Sequence, residues 1–206
     1  MPNREYIKRN VDERLLAWKN STMRKPLLIR GARQVGKSSA VRHLGESFTY
    51  FAEVNFEKQR AVKDFFRGDI DVRLICQKIA NYIGIPVVAG RTLLFFDEIQ
   101  ECPEAIMALR FFKEEYPELH VIAAGSLLEF TLQELPTFGV GRIHSIFMYP
   151  MTFDEFLTAT HDEGLIAMRE KSDSKHPLDL AFHEKLIELF RIYLLVGGMP
   201  EAVLAW

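Results

Sequence analysis

Eight consecutive residues, Gly31-Ala32-Arg33-Gln34-Val35-Gly36-Lys37-Ser38, have the types and spacing to hold phosphate. The two glycines allow backbone angles closed to a side chain and let the main chain approach an anion closely. Successive amides can form an anion nest, and a helix starting at the end of the loop adds the positive end of its dipole. Lys37 supplies a mobile charge for the β- and γ-phosphates, and Ser38 offers its hydroxyl to Mg²⁺. The expected nucleotide-binding set is Gly31, Ala32, Arg33, Gln34, Val35, Gly36, Lys37, Ser38 and Ser39.

A second signal lies at Leu93-Leu94-Phe95-Phe96-Asp97-Glu98, four apolar residues closed by two carboxylates. A buried strand ending in Asp brings that carboxylate to the carboxyl edge of a sheet, beside the phosphate loop. There Asp97 can join Ser38 in holding Mg²⁺. Glu98, one residue on, is suited to polarising a water for attack on a γ-phosphate. Together the two motifs point to ATP with Mg²⁺ and to hydrolysis. No Asn-Lys-x-Asp tetrapeptide is present, which disfavours a guanine-specific enzyme.

Further along, Ala124-Gly125-Ser126 closes another apolar run. In ring-type ATPases a polar residue at such a strand tip contacts the attacking water or the γ-phosphate. Ser126 can do this, or it can cap a helix starting at Leu127. Arg142, after Gly139-Val140-Gly141, can stabilise transition-state charge in cis or toward a neighbouring subunit, or form a structural ion pair. Arg33 occupies a variable loop position and is expected to face solvent. The six histidines show no metal-ligand spacing, and no hydrolase elbow surrounds any serine.

The elements that must position these groups follow from hydrophobic period. Residues 4–20 read as an amphipathic helix, 26–30 as a buried strand, and 38–44 as the helix behind the loop. Strands are expected at 48–56, 92–96, 120–124 and 143–148, with helical patterns at 60–83, broken near Gly68-Asp69, and at 103–116. From Thr152 onward the pattern is helical, with a polar break near Glu170 to His176. Apolar runs without alternation, separated by helices, mean a parallel sheet covered on both faces.

The 206 residues, 48% hydrophobic, suffice for a sizeable core. Net charge is −2, against a whole-surface nucleic-acid binder, yet residues 1–50 carry 11 Lys and Arg against 4 Asp and Glu. That basic quarter surrounds the phosphate loop, as an anion site favours, although a solvated helix face would look the same. Cys76 and Cys102 stand alone, each expected as a reduced residue on a helix. No signal-like segment and no run near ~20 apolar residues occurs, so a cytoplasmic protein without a membrane span is expected.

The chain resembles the bacterial and archaeal AAA-type ATPases that carry a second domain of unknown function after the ATPase core. The resemblance rests on Gly31 to Ser38, Phe96-Asp97-Glu98-Ile99-Gln100, Ala124-Gly125-Ser126, Gly141-Arg142, Tyr149-Pro150-Met151-Thr152-Phe153-Asp154-Glu155-Phe156 and Gly197-Gly198-Met199-Pro200, in the family's order. It implies an α/β fold of the P-loop class, a three-layer αβα core of the ASCE type with about five mostly parallel strands, followed by helices. It further implies that the acidic strand is inserted between the strand bearing the phosphate loop and its neighbour. On this reading residues 1–150 form the ATPase core with an N-terminal helix. Residues 151–206 form a helical segment cut before a further domain, since Val203-Leu204-Ala205-Trp206 is apolar and lacks a helix stop. The expected function is Mg²⁺-dependent ATP hydrolysis, with catalytic Glu98, Lys37, Ser126 and Arg142 and metal ligands Ser38 and Asp97. A nucleotide-gated switch with negligible hydrolysis and a nucleic-acid-stimulated motor are the rival expectations. Partners would be a second copy or another protein.

Overall fold

The computed structural model describes residues 6–126, 128 and 141–206. The chain divides into two compact units. One is Val11–Met148; the other joins the stretch through Asn10 to Tyr149–Trp206.

The first unit is built on five parallel strands: β1 (Leu27–Arg30), β2 (Tyr50–Asn55), β3 (Thr92–Asp97), β4 (His120–Ala124) and β5 (His144–Phe147). Their order is β2-β3-β4-β1-β5. Every residue of β3 and of β4 is buried, as central strands covered on both faces require. The outer strands betray their edge position: Ala52 and Val54 of β2 and Ile146 of β5 are buried, while their neighbours are not.

Successive side chains alternate between the two faces. Leu28, Ala52, Val54, Leu94, Phe96, Val121 and Ala123 share one core with α3 (Val72–Ile83), α4 (Pro103–Glu115) and the 3₁₀ segment Arg60–Phe66. Phe96 sits at the centre of this core, edge-on to Phe66 at 5.6 Å and tilted against Phe112 at 5.9 Å. The opposite face is covered by α2 (Lys37–Gly45), which packs on β2, β3 and β4, with α1 (Val11–Asn20) against α2. The result is the expected three-layer αβα arrangement.

Two expectations need correction. The strand that separates the loop-bearing β1 from the acidic β3 is β4, so the acidic strand does not adjoin β1. The first helix begins at Val11 rather than near residue 4. Before it, the Arg9 guanidinium (3.0 Å) and the Asn10 amide (2.7 Å) both donate to Oε1 of Glu155, and these long-range bonds hold the segment out of helical geometry. Smaller differences are the 3₁₀ rather than α geometry of Arg60–Phe66 and the position of Cys102 at the N-cap of α4.

The second unit contains α5 (Phe153–Ala159), α6 (Gly164–Lys171), α7 (Leu180–Val196) and α8 (Pro200–Ala205). Thr152 opens α5 with a capping box: its hydroxyl accepts from the Glu155 amide, and Glu155 accepts from the Thr152 amide at 2.8 Å. The motifs at 149–156 and 197–200 meet here. The Met151 amide donates to the Gly198 carbonyl at 2.6 Å, and the Tyr193 hydroxyl donates to the Met151 carbonyl at 2.8 Å. Among the described residues, no helix is long and apolar enough to cross a membrane.

Candidate functional site

The loop from Gly31 to Gly36 leaves the carboxyl end of β1 and enters α2. Its shape depends on left-handed backbone at Gly36 (φ 97°) and Gln34 (φ 63°), and on Gly31 at φ 142°. At Gly31 a Cβ would collide with the carbonyl oxygen of Met148, at the end of β5. The glycine there is thus required by angle and by space. Val35 and Lys37 are buried, whereas Ala32, Arg33, Gln34 and Ser39 are exposed.

The Lys37 ammonium folds back over the loop, donating to the carbonyls of Gly31 at 2.9 Å and Ala32 at 2.7 Å. Burial lowers its pKa, opposed by the carboxylates of Glu98 and then Asp97, while the Arg33 guanidinium adds to the lowering. The ammonium thus lies in a field in which Glu98 acts on it more strongly than Asp97 does.

Ser38, in the first turn of α2, donates its hydroxyl to Oδ1 of Asp97 at 2.8 Å. The other carboxylate oxygen, Oδ2, accepts from Asn55 Nδ2 at 3.1 Å and lies 3.8 Å from the Arg42 guanidinium. Arg42 itself grips Glu53 with two bonds of 2.9 and 2.6 Å. The β2–β3 register sets Asn55 directly opposite Asp97. Asn55 and Arg42 are thus part of the site although sequence reasoning missed both; a polar residue ending the β2 run was the available signal.

Glu98 stands in left-handed backbone at φ 50°, uncommon for a residue with a side chain. Its Oε2 accepts from Gln100 Nε2 at 2.6 Å. Ser126, almost fully buried at the tip of β4, accepts from Arg33 Nε at 3.4 Å, so Arg33 is exposed yet engaged. The alternative role of Ser126, capping a helix at Leu127, falls on a residue outside those described, as do Gly139 and Val140.

Lys37, Ser38, Asp97, Glu98 and Ser126 are therefore gathered at the carboxyl edge of the sheet. Arg142 is not. It lies two residues before His144, the first residue of β5, which pairs with Leu27 at the amino edge, and its guanidinium pairs with Glu114 of α4. Within one chain Arg142 sits across the sheet from the loop.

A divalent cation fits this arrangement only with help. Among the described residues no group of three or more His, Cys, Asp or Glu could hold a metal. One hydroxyl and one carboxylate, already within hydrogen-bond distance of each other, match a Mg²⁺ site completed by phosphate oxygens and water.

The AAA domain family matches residues 23–157, from before β1 into α5. The chain belongs to the AAA domain family. Within this AAA domain, the matched span contains the whole sheet, the phosphate loop and both acidic residues. It is an AAA-type P-loop ATPase domain by family. No curated protein matches the chain. Its fold is similar to that of the Walker-type ATPase PABY2304 of Pyrococcus abyssi, with a TM-score of 0.53 at 16% identity, covering 98% of this chain and 67% of that one. The Drosophila ORC bound to DNA is similar with a TM-score of 0.54 at 12% identity, over 93% of this chain and 57% of that one. The ORC1 protein of Aeropyrum pernix in complex with DNA gives 0.47 at 15% identity, over 100% of this chain and 64% of that one. The AAA domain chain thus spans 57% to 67% of the length of these structures.

Proposed function

We propose that the chain binds ATP with Mg²⁺ and hydrolyses it to ADP and phosphate. The observation that carries this reading is the 2.8 Å bond between Ser38 and Asp97, which joins the phosphate loop to the acidic strand across the intervening β4. The loop amides and Lys37 would hold the β- and γ-phosphates, Lys37 leaving the carbonyls of Gly31 and Ala32 for phosphate oxygens. Ser38 and Asp97 would hold the cation, with Asn55 fixing the carboxylate from its other side. When bound, Mg²⁺ supplies charge neutralisation between the β- and γ-phosphates.

Glu98 then takes a proton from water as the water oxygen attacks the γ-phosphorus. The bond from that phosphorus to the β–γ bridging oxygen breaks, and its electron pair leaves on the β-phosphate of ADP. Ser126 and Arg33 are suited to contact the γ-phosphate or the attacking water. Arg142 can act only outside its own site, on a neighbouring copy, or as the partner of Glu114. Phosphate release by the wild type and Glu98→Gln tests the assignment. A drop of about 10²-fold or more in kcat is expected; equal rates above background would remove Glu98 from this role.

A second reading is nucleic-acid-stimulated hydrolysis. It is favoured by the basic first fifty residues, with 11 Lys and Arg against 4 Asp and Glu, and by similarity to one structure described as bound to DNA. Its test is DNA-stimulated phosphate release that falls steeply with salt. A nucleotide-gated switch in the cytoplasm, acting on a second copy or another protein, predicts tight ATP binding without turnover under either condition.

A further inference from the structure

The hydrogen bond from Gln100 to Glu98 is lopsided. Gln100 Nε2 donates to the carboxylate at 2.6 Å, while its carbonyl oxygen Oε1 is buried with no hydrogen-bond partner among the described residues. The amide cannot be turned over to cure this, because Oε1 would then face a carboxylate that has nothing to donate. A buried acceptor without a donor is uncommon and calls for an explanation.

What fixes this oxygen in place lies at the tip of β4. Oε1 occupies the space where Gly125 would carry a Cβ, and an alanine there would run into it. Gly125 directly precedes Ser126, which in turn contacts Arg33 of the phosphate loop. Gly125 has no left-handed backbone, so its identity is set by space rather than angle.

We propose that Gln100 is the positioning residue for Glu98, and that the missing side chain of Gly125 seats it, so that the β4 tip and the acid are mechanically coupled. The proposal rests on the reading of Glu98 as the group that activates water. With one carboxylate oxygen tied to Gln100, the other is left to accept a proton from water. A displacement of the β4 tip toward Gln100 pushes the amide and turns Glu98. Nucleotide contact at Ser126 and activation at Glu98 are then linked through Gly125 and Gln100.

The test uses the full chain with Gln100→Ala, Gly125→Ala and their combination. Gly125→Ala is expected to fold, since its backbone is ordinary, Oε1 ends a side chain that can swing, and the Leu128 side-chain carbons at 3.1 and 3.2 Å need give only slightly. Each single change should lower kcat for ATP about tenfold or more, as loss of a supporting hydrogen bond does at other sites, with KM nearly unchanged. The double change should fall no further than Gln100→Ala, because both remove one contact. Multiplicative losses, a loss carried by KM, or an undiminished Gln100→Ala would overturn the proposal. The side-chain amide resonance of Gln100 gives a readout independent of turnover. It should move in Glu98→Ala and move likewise in Gly125→Ala. An unmoved resonance in Gly125→Ala overturns the seating even in a chain that hydrolyses normally. If the wild type releases no more phosphate than Glu98→Gln, the hydrolytic reading fails, and the resonance still decides whether Gly125 seats Gln100.

Discussion

Ser38 and Asp97 are hydrogen-bonded at 2.8 Å although the strands that lead to them, β1 and β3, are separated by β4. The contact is possible because Ser38 is not on β1 but one loop beyond it, in the first turn of α2, which packs over β2, β3 and β4. The loop thus carries the hydroxyl sideways across the sheet edge to the carboxylate.

Ser38→Ala should therefore act through the cation. Under the ATPase reading, loss of the hydroxyl weakens binding of ATP in the presence of Mg²⁺ by about 1.5–3 kcal/mol, roughly 10- to 100-fold. Titration of a fluorescent ATP analogue with Mg²⁺ and with EDTA checks this. The loss should be confined to the Mg²⁺ series; an equal loss in both would make Ser38 a purely architectural partner of Asp97.

Gly31→Ala should be costly to the fold itself. The new methyl meets the Met148 carbonyl, a backbone atom at the end of a paired strand, and the φ of 142° suits no side chain. A destabilisation of about 2–4 kcal/mol is expected, read as a lower urea midpoint. A variant as stable as the wild type would mean that β5 shifts freely, contrary to its pairing with β1.

In the helical unit, Arg9 and Glu155 form an ion pair whose side chains are 5% and 6% exposed. Removing one member of such a pair leaves the other charge buried. Glu155→Ala should cost about 3–5 kcal/mol, with the loss of its bonds to the amides of Asn10 and Thr152 included. Arg9→Leu together with Glu155→Leu should recover part of this loss in urea unfolding, even though the caps stay lost. No recovery would show that the caps, not the charges, dominate.

Acid stability should report on His120. Burial first, then the charges of Arg24 and Lys19, push its pKa down from 6.5 to about 4, opposed by its bond to the Lys19 carbonyl. The ring sits edge-on to Trp18 and Phe48, with Nε2 3.2 Å from the Lys19 carbonyl and Nδ1 buried without a partner among the described residues. Because the folded pKa is depressed, the unfolded chain binds the extra proton first. Stability from this group is complete above pH 6.5 and is lost as pH falls from 6.5 to about 4, by on the order of 3 kcal/mol. His120→Phe should flatten that part of the stability–pH curve; an unchanged slope between pH 4 and 6.5 assigns it to other groups.

Much of the site was legible because its signals are local. The glycines of the loop must be glycines wherever phosphate is wrapped by backbone, and an apolar run closed by Asp97 and Glu98 marks a central strand at any position in the sheet. The strands were legible for the same reason, as continuous apolar runs. What escaped depends on pairing across distance. Asn55 matters only because register sets it opposite Asp97. The early start expected for the first helix failed because Arg9 is bound 146 residues away, which no helical period reveals. Gln100 stood in a recognised motif, but its relation to Gly125 arises only when β3 and β4 lie side by side.

The same Arg9–Glu155 bond constrains the order in which the molecule can assemble. During synthesis the segment ending at Asn10 emerges before the five-stranded unit, yet its partner at Glu155 follows only after that entire unit has been made. Val11–Met148 holds a continuous stretch of chain and can close its own core while the ribosome is still at work, as domains generally do. The helical unit cannot: Arg9 must wait for Glu155, made 146 residues later.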